Sequence, residues 1–133
     1  MVRKVSHIAI AVPNVTEVAK FYEEKLGLKL VGREDVAGSK VTVGFIPVGE
    51  TRLELVQPAS PDSPISKFLE TRGPGLQHVC FEVDDIAAEL QRLEAAGVRL
   101  IDKIPRPGAH GTMVGFIHPS ATGGVLVELS EQK

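Results

Sequence analysis

The pattern of apolar and polar residues along the chain predicts short strands separated by a few amphipathic helices. Apolar residues three or four apart follow two N-cap candidates, Asn14 and Asp85, and each of these helical stretches ends at a glycine. A shorter helix is predicted to begin after Ser63, because Pro64 is suited to a first helical turn, and to run through Leu69. The predicted strands cover residues 7–12, 28–33, 41–48, 52–57, 78–83, 98–103, 113–118 and 124–130. The fold class is therefore α+β.

The second half of the chain repeats the first. The segment "HIAIAV" begins at His7 and "HVCFEV" at His78, and "VGFI" occurs both at 43–46 and at 114–117. Each copy is predicted to contain a strand, a helix and three further strands, which indicates two tandem βαβββ modules rather than a solenoid. We expect one domain over residues 1–133, with module 1 at about 4–58, the connecting helix at about 62–72 and module 2 at about 75–131.

Strand alternation places a histidine and a glutamate of each module on the same side. His7 and His78 point away from the apolar face that would pack on the helices, and so do Glu54 and Glu128. A curled, cup-like mixed sheet would bring all four to its concave side. A single histidine or glutamate at such a position is usually hydrogen-bonded within the protein or exposed to solvent. Four at matching positions of a duplicated module favour a divalent metal site.

Composition and charge exclude several classes of function. The formal net charge is −2, so nothing indicates nucleic-acid binding. No apolar stretch reaches the length of a membrane span, and we expect no membrane partner. Cys80 is the only cysteine, which rules out an intrachain disulfide and favours a reducing, cytoplasmic location.

With these features the chain resembles the vicinal oxygen chelate (glyoxalase/bleomycin-resistance-like) superfamily, and within it the methylmalonyl-CoA epimerases. The resemblance covers nearly the whole chain. Its most specific segments are "GLQHVCFEVDDI", "GAHGTMVGFIHP" and "TGGVLVEL". It implies an isomerase that interconverts the 2R and 2S forms of an acyl-CoA substrate, methylmalonyl-CoA, by abstracting the proton at C2.

The same resemblance implies the roles of individual residues. His7, Glu54, His78 and Glu128 match the ligands of one divalent ion (cobalt, zinc, nickel, manganese or magnesium), and Glu128 would also be one acid/base. Such an ion would neutralise charge on the thioester oxygen and on the carboxylate of the substrate.

The resemblance also bears on a second acid/base. Some epimerases carry a glutamate on the strand that here reads "KVTVGFI", and Thr42 aligns with it. A threonine hydroxyl is too weak a base, so we expect Thr42 to hold a water that carries the proton. Glu34 and Asp35 are the alternatives, although they resemble a solvent-facing loop.

Three further residues are candidates for substrate binding. His110 lies in the glycine-bracketed "GAHG", and Ser66 and Lys67 lie on the short helix, where they could contact the CoA arm. The resemblance also suggests a homodimer. Two alternative functions remain: a glyoxalase I-type lactoylglutathione lyase, and a bleomycin-resistance-like protein that binds a small molecule without catalysis.

Overall fold

The protein, described over residues 1–132 by a computed structural model, contains two copies of the predicted βαβββ order. The α+β class and the paired modules are confirmed. In chain order the elements are β1 (Val2–Ala11), α1 (Val15–Leu26), β2 (Gly32–Val36), β3 (Val41–Val48), β4 (Thr51–Pro58), α2 (Pro64–Arg72), β5 (Gly75–Val83), α3 (Ile86–Ala95), β6 (Arg106–Pro107), β7 (Met113–Ile117) and β8 (Val127–Glu131).

The chain divides into two compact units. The first unit is His7–Gln77, and the second unit comprises Met1–Ser6 and the residues from His78 onward. In the first unit the strands are ordered β2-β3-β4-β1, with β1 parallel to β4 and the other neighbours antiparallel. In the second unit the order is β6-β7-β8-β5, with β5 parallel to β8. Each module therefore forms the same arrangement of strands.

The helix boundaries follow from the caps that the sequence predicts. The side chain of Asn14 accepts a hydrogen bond from the backbone N–H of Glu17 at 2.9 Å, and Asp85 caps α3 in the same way. Gly27 ends α1 in the left-handed conformation, at φ 70°. Helix α2 continues beyond the predicted Leu69 to Arg72. None of the helices described is long and apolar enough to cross a membrane.

A glycine in each copy of "VGFI" allows a helix to approach the sheet closely. A Cβ atom at Gly44 would lie 2.5 Å from Cγ1 of Val15 on α1, and one at Gly115 would lie 2.9 Å from Cδ1 of Leu90 on α3. These contacts belong to the two apolar cores. The buried residues of the first core are Val12, Val15, Ala19, Ile46 and Leu55, and those of the second are Val83, Ile86, Leu90, Ile117 and Leu129.

Two strand predictions need correction. The strand expected at 28–33 is displaced to Gly32–Val36, and the backbone N–H of Leu30, ahead of it, donates to the side chain of Glu23 at 3.1 Å. The strand expected at 98–103 forms only an isolated bridge, between Leu100 and Ile117. There the carboxylate of Asp102 accepts the backbone N–H of Phe116 at 2.9 Å and takes a donor that a continuous ladder would use.

Candidate metal centre

His7 and Glu54 form a buried pair in the first unit. The parallel register of β1 and β4 places Arg52 opposite His7, and Glu54 opposite Ala9. Nδ1 of His7 lies 3.2 Å from Oε2 of Glu54, and both residues are only 5% exposed. An imidazole nitrogen and a carboxylate oxygen at this separation can share a proton or act together as ligands of one cation.

Arg52 supplies the positive charge of this pair. Its Nε and one terminal nitrogen lie 2.8 and 2.7 Å from Oε2 of Glu54, and a terminal nitrogen lies 3.4 Å from Nδ1 of His7. Because a carboxylate buried without a partner is unfavourable by several kcal/mol, the guanidinium keeps Glu54 compatible with its burial.

His78 and Glu128 form the matching pair in the second unit. Nε2 of His78 lies 2.9 Å from Oε1 of Glu128, and the two residues are 9% and 7% exposed. Cys80 lies directly opposite Glu128 in the register of β5 and β8, and its Sγ is within 4.8 Å of a carboxylate oxygen of Glu128. This half of the candidate site therefore offers nitrogen, oxygen and sulfur donors on one face of the strands.

A phenylalanine from each "VGFI" copy flanks each glutamate. Phe45 lies opposite Glu54, and Phe116 lies opposite Glu128. The ring of Phe116 contacts the imidazole of His78 edge to face, with centroids 5.3 Å apart, while the guanidinium of Arg106 lies over the same ring. The aromatic ring restricts the orientation of the histidine, which favours a preformed site.

Thr42 is not brought together with His7 and Glu54. It lies on β3 with the same parity as Gly44, which faces Val15 of α1. Its hydroxyl donates a hydrogen bond to Oδ1 of Asp35 at 2.8 Å. The expectation that Glu34 and Asp35 form a loop is wrong, because both lie within β2.

The remaining candidates lie on α2 and on a short turn. The hydroxyl of Ser66 donates to the carbonyl oxygen of Ser60 at 2.9 Å, and Lys67 is exposed on the same helix. His110 is exposed and has a left-handed backbone, at φ 56°. None of these positions contradicts contact with a substrate, and these assignments stay predictions.

Both pairs fit a divalent metal by the chemistry of their donors. Imidazole nitrogen and carboxylate oxygen are ligands that zinc, cobalt and manganese accept. The sequence predicts these four residues as ligands, which stays a prediction, but it did not identify Arg52, Phe45 or Phe116 as their neighbours. Arg52 stands two residues before Glu54, so the two side chains lie on the same face of the strand. This spacing could have identified Arg52 as a neighbour of Glu54.

Comparisons with known proteins identify relatives of this chain. A family model described as the Glyoxalase/Bleomycin resistance protein/Dioxygenase superfamily matches residues 6–116. An ethylmalonyl-CoA/methylmalonyl-CoA epimerase of Cereibacter sphaeroides is 41% identical, over 98% of this chain and 99% of its own. The uncharacterized protein YqjC of Bacillus subtilis is 44% identical, over 98% of this chain and 93% of its own.

A solved structure supports the same relationship. A methylmalonyl-CoA epimerase in complex with methylmalonyl-CoA and NH4+ superimposes with a TM-score of 0.95 and 28% identity, covering 99% of this chain and 96% of that one. The glyoxalase/bleomycin-resistance-like fold and the resemblance that the sequence suggests are both confirmed.

Proposed function

This chain belongs to the Glyoxalase/Bleomycin resistance protein/Dioxygenase superfamily, and we propose that it interconverts the 2R and 2S forms of methylmalonyl-CoA. Its near-full-length similarity to epimerases makes it an enzyme of the isomerase class. The observation that carries the proposal is the recurrence of a buried His–Glu contact in each unit, at positions that the duplication relates.

We propose that His7, Glu54, His78 and Glu128 bind one divalent ion. The donor types of the two pairs and their burial support this ligand set. The bound ion would stabilise the negative charge that develops on the thioester oxygen when C2 loses its proton, beside a carboxylate that is already negative.

Glu128 is the first acid/base of the proposed reaction. Its carboxylate takes the proton from one side of C2, and the electron pair of the broken C–H bond moves into the thioester carbonyl. Phe116 lies opposite Glu128, and its ring contacts the imidazole of His78, so both side chains limit how this carboxylate can move. A well-placed base of this kind accelerates proton transfer by about 10²–10⁴-fold.

We propose a single domain, a homodimeric assembly, a cytoplasmic location, and contact of Ser66, Lys67 and His110 with the acyl-CoA substrate. The backbone of α2 and its N-terminal cap, Ser63, would then hold two of these residues in place.

The decisive experiment is C2 proton exchange. Protein stripped with a chelator and reloaded with cobalt or manganese is incubated with methylmalonyl-CoA in D₂O, and NMR follows deuterium at C2. We expect the loaded protein to exchange the proton and to interconvert the two stereoisomers. Absence of both reactions with every metal tested, in protein that stays folded, would exclude the epimerase.

The variant His78→Ala tests the ligand set. It should lose bound metal and turnover together, because one of four ligands is removed, and metal content can be measured by elemental analysis. His118→Ala is the matched control, since His118 caps a turn by accepting the backbone N–H of Ser120 at 3.0 Å. Full metal occupancy in His78→Ala would show that the ligand assignment is incorrect.

A further inference from the structure

Phe116 lies beside both members of the His78–Glu128 pair. It is directly opposite Glu128 on β8, and its ring meets the His78 imidazole edge to face, at an interplanar angle of 86°. Such pairs of rings have a preferred geometry, so the position of one ring restricts the other. Phe116 is only half-buried, and core packing alone therefore does not fix its ring. Any group that holds Phe116 in place also acts on a proposed metal ligand.

A single carboxylate, that of Asp102, bonds both the backbone of Phe116 and the side chain of Arg106. Its Oδ2 accepts the backbone N–H of Phe116 at 2.9 Å, and its Oδ1 accepts the Nε–H of Arg106 at 3.1 Å. The Asp102 side chain is 16% exposed, so water competes little for these bonds. Hydrogen bonds between ionised groups are also stronger than those between neutral ones. Asp102 thus fixes Arg106 relative to the strand that carries the phenylalanine.

The guanidinium of Arg106 lies over the ring of Phe116. Its Cζ is 5.3 Å from the ring centroid, a distance at which a cation is attracted to an aromatic face. Arg106 is opposite Val114, two residues before Phe116 on β7, so both side chains share the face of Glu128. The ring of Phe116 therefore contacts a guanidinium as well as the imidazole.

The first unit contains the same pairing of arginine and phenylalanine, built from a different position. The guanidinium of Arg52 lies 5.9 Å from the ring centroid of Phe45, the phenylalanine of the first "VGFI" copy. Arg52 stands two residues before the glutamate of its module, and the matching residue of the second module is Leu126. The duplication therefore does not account for Arg106, which lies on β6. An arginine placed separately in each unit indicates that the phenylalanine beside each glutamate requires a cation on its ring.

We propose that Arg106 and Asp102 are positioning residues that orient His78, through Phe116, for binding of the divalent ion. The inference rests on the proposed metal ligand set. Arg106 acts on the ring of Phe116, and Asp102 acts on Arg106 and on the backbone of Phe116. The imidazole is then held in its binding orientation before the ion arrives. Replacing residues that orient a metal ligand typically weakens metal affinity by about 10–100-fold.

The test measures metal affinity and the environment of the His78 ring in separate experiments. Arg106→Met removes the guanidinium and keeps an unbranched apolar side chain. Binding of Co²⁺ to metal-free protein, measured by isothermal titration calorimetry, should weaken by about 10-fold or more. Arg106→Lys, which keeps a positive charge, should weaken it less. In metal-free protein, Arg106→Met should also shift the NMR signals of the His78 ring protons, because they lie beside the ring of Phe116.

Arg92→Met is the matched control, since Arg92 is an exposed arginine on α3 that pairs with Glu89 at 2.9 Å. It should keep the metal affinity and the NMR signals of the wild type. Asp102→Asn is a second test variant. It keeps an oxygen that can accept the N–H of Phe116 but loses the charge that holds Arg106, so it should weaken metal affinity as well. Circular dichroism checks that each variant is folded.

A purely structural role of these residues predicts a different result. Arg106→Met and Asp102→Asn would then unfold at a lower urea concentration, while the folded variants bind Co²⁺ with wild-type affinity and keep the His78 signals. That outcome would overturn the proposal. A wild type that binds no divalent ion would instead reject the proposed ligand set. The NMR comparison needs no metal and still decides whether Arg106 orients His78, so the two failures are distinguishable.

Discussion

Arg52 determines the charge of the His7–Glu54 pair. Two of its nitrogens contact one carboxylate oxygen, and its guanidinium also lies 5.9 Å from the ring centroid of Phe45. Together Arg52 and Glu54 carry no net charge, whereas a glutamine at position 54 beside Arg52 would leave a net positive charge. The guanidinium thus offsets the negative charge of Glu54 within this unit.

A second charged pair at the residue scale gives a prediction about pH. The hydrogen bond from the Lys40 ammonium, with one from the Ser60 hydroxyl, lowers the pKa of Asp62 from 3.8 to about 2. Because the pKa is lower in the folded protein, the stabilisation is present above pH 4 and is lost as the pH falls toward 2.

Lys40→Met should therefore raise the pKa of Asp62 toward its ordinary value, measured by NMR titration of the side-chain carboxyl. Ser60→Ala, which removes the second-largest of these hydrogen bonds, should raise it by less. A titration midpoint that stays near 2 in Lys40→Met would contradict the attribution to Lys40.

Side-chain parity predicted which candidate ligands share a face, but it could not give their contacts. Alternation alone placed His7 with Glu54 and His78 with Glu128 on common faces. The position of Arg52 against Glu54 depends on side-chain length and rotamer, which a strand pattern does not contain. Thr42 was assigned by alignment rather than by alternation, and its role stays a prediction.

At the scale of elements, the glycine of each "VGFI" copy sets how closely a helix packs on the strands. Substitution by alanine should destabilise the protein more at Gly44 than at Gly115. The added Cβ at Gly44 would meet a stiff, β-branched valine rather than the end of a leucine.

We expect Gly44→Ala to lower the free energy of unfolding by about 1–3 kcal/mol, the usual effect of overpacking a core. Gly32→Ala is the control, because a Cβ there meets nothing within 4 Å. Both can be measured by urea denaturation. Equal stability of the two variants would show that α1 adjusts without strain.

Element boundaries were less predictable than element types. The caps at Asn14 and Asp85 are local signals, and both are confirmed. The interruption at 98–103 arises because the side chain of Asp102 bonds the backbone of Phe116, a contact between residues far apart in the chain. Apolar periodicity does not report such a contact.

At the scale of the whole molecule, the sequence repeat predicts two modules. The two compact units of the structure differ from these modules at the start of the chain. Residues 1–6 belong to the second unit, where the guanidinium of Arg3 lies 3.2 Å from Asp84. This extension of β1 precedes the repeated letters, so the duplication could not reveal it.

We predict a dimer. The strand β2 is the last in the order of its unit, and such an edge carries backbone groups available to a second copy. Light scattering at micromolar protein should give about twice the chain mass of 14.3 kDa. A mass equal to one chain at that concentration would reject the prediction.

The two ladders that hold β3 have a consequence for how this chain tolerates changes in length. Neighbours on both sides fix which β3 residues face Glu54, from Val41 to Phe45. An insertion within the strand would exchange the two faces, but one in the adjoining turn at 37–39 would leave them unchanged. Evolution could therefore vary the length of this turn while keeping Val43 on the face of Glu54.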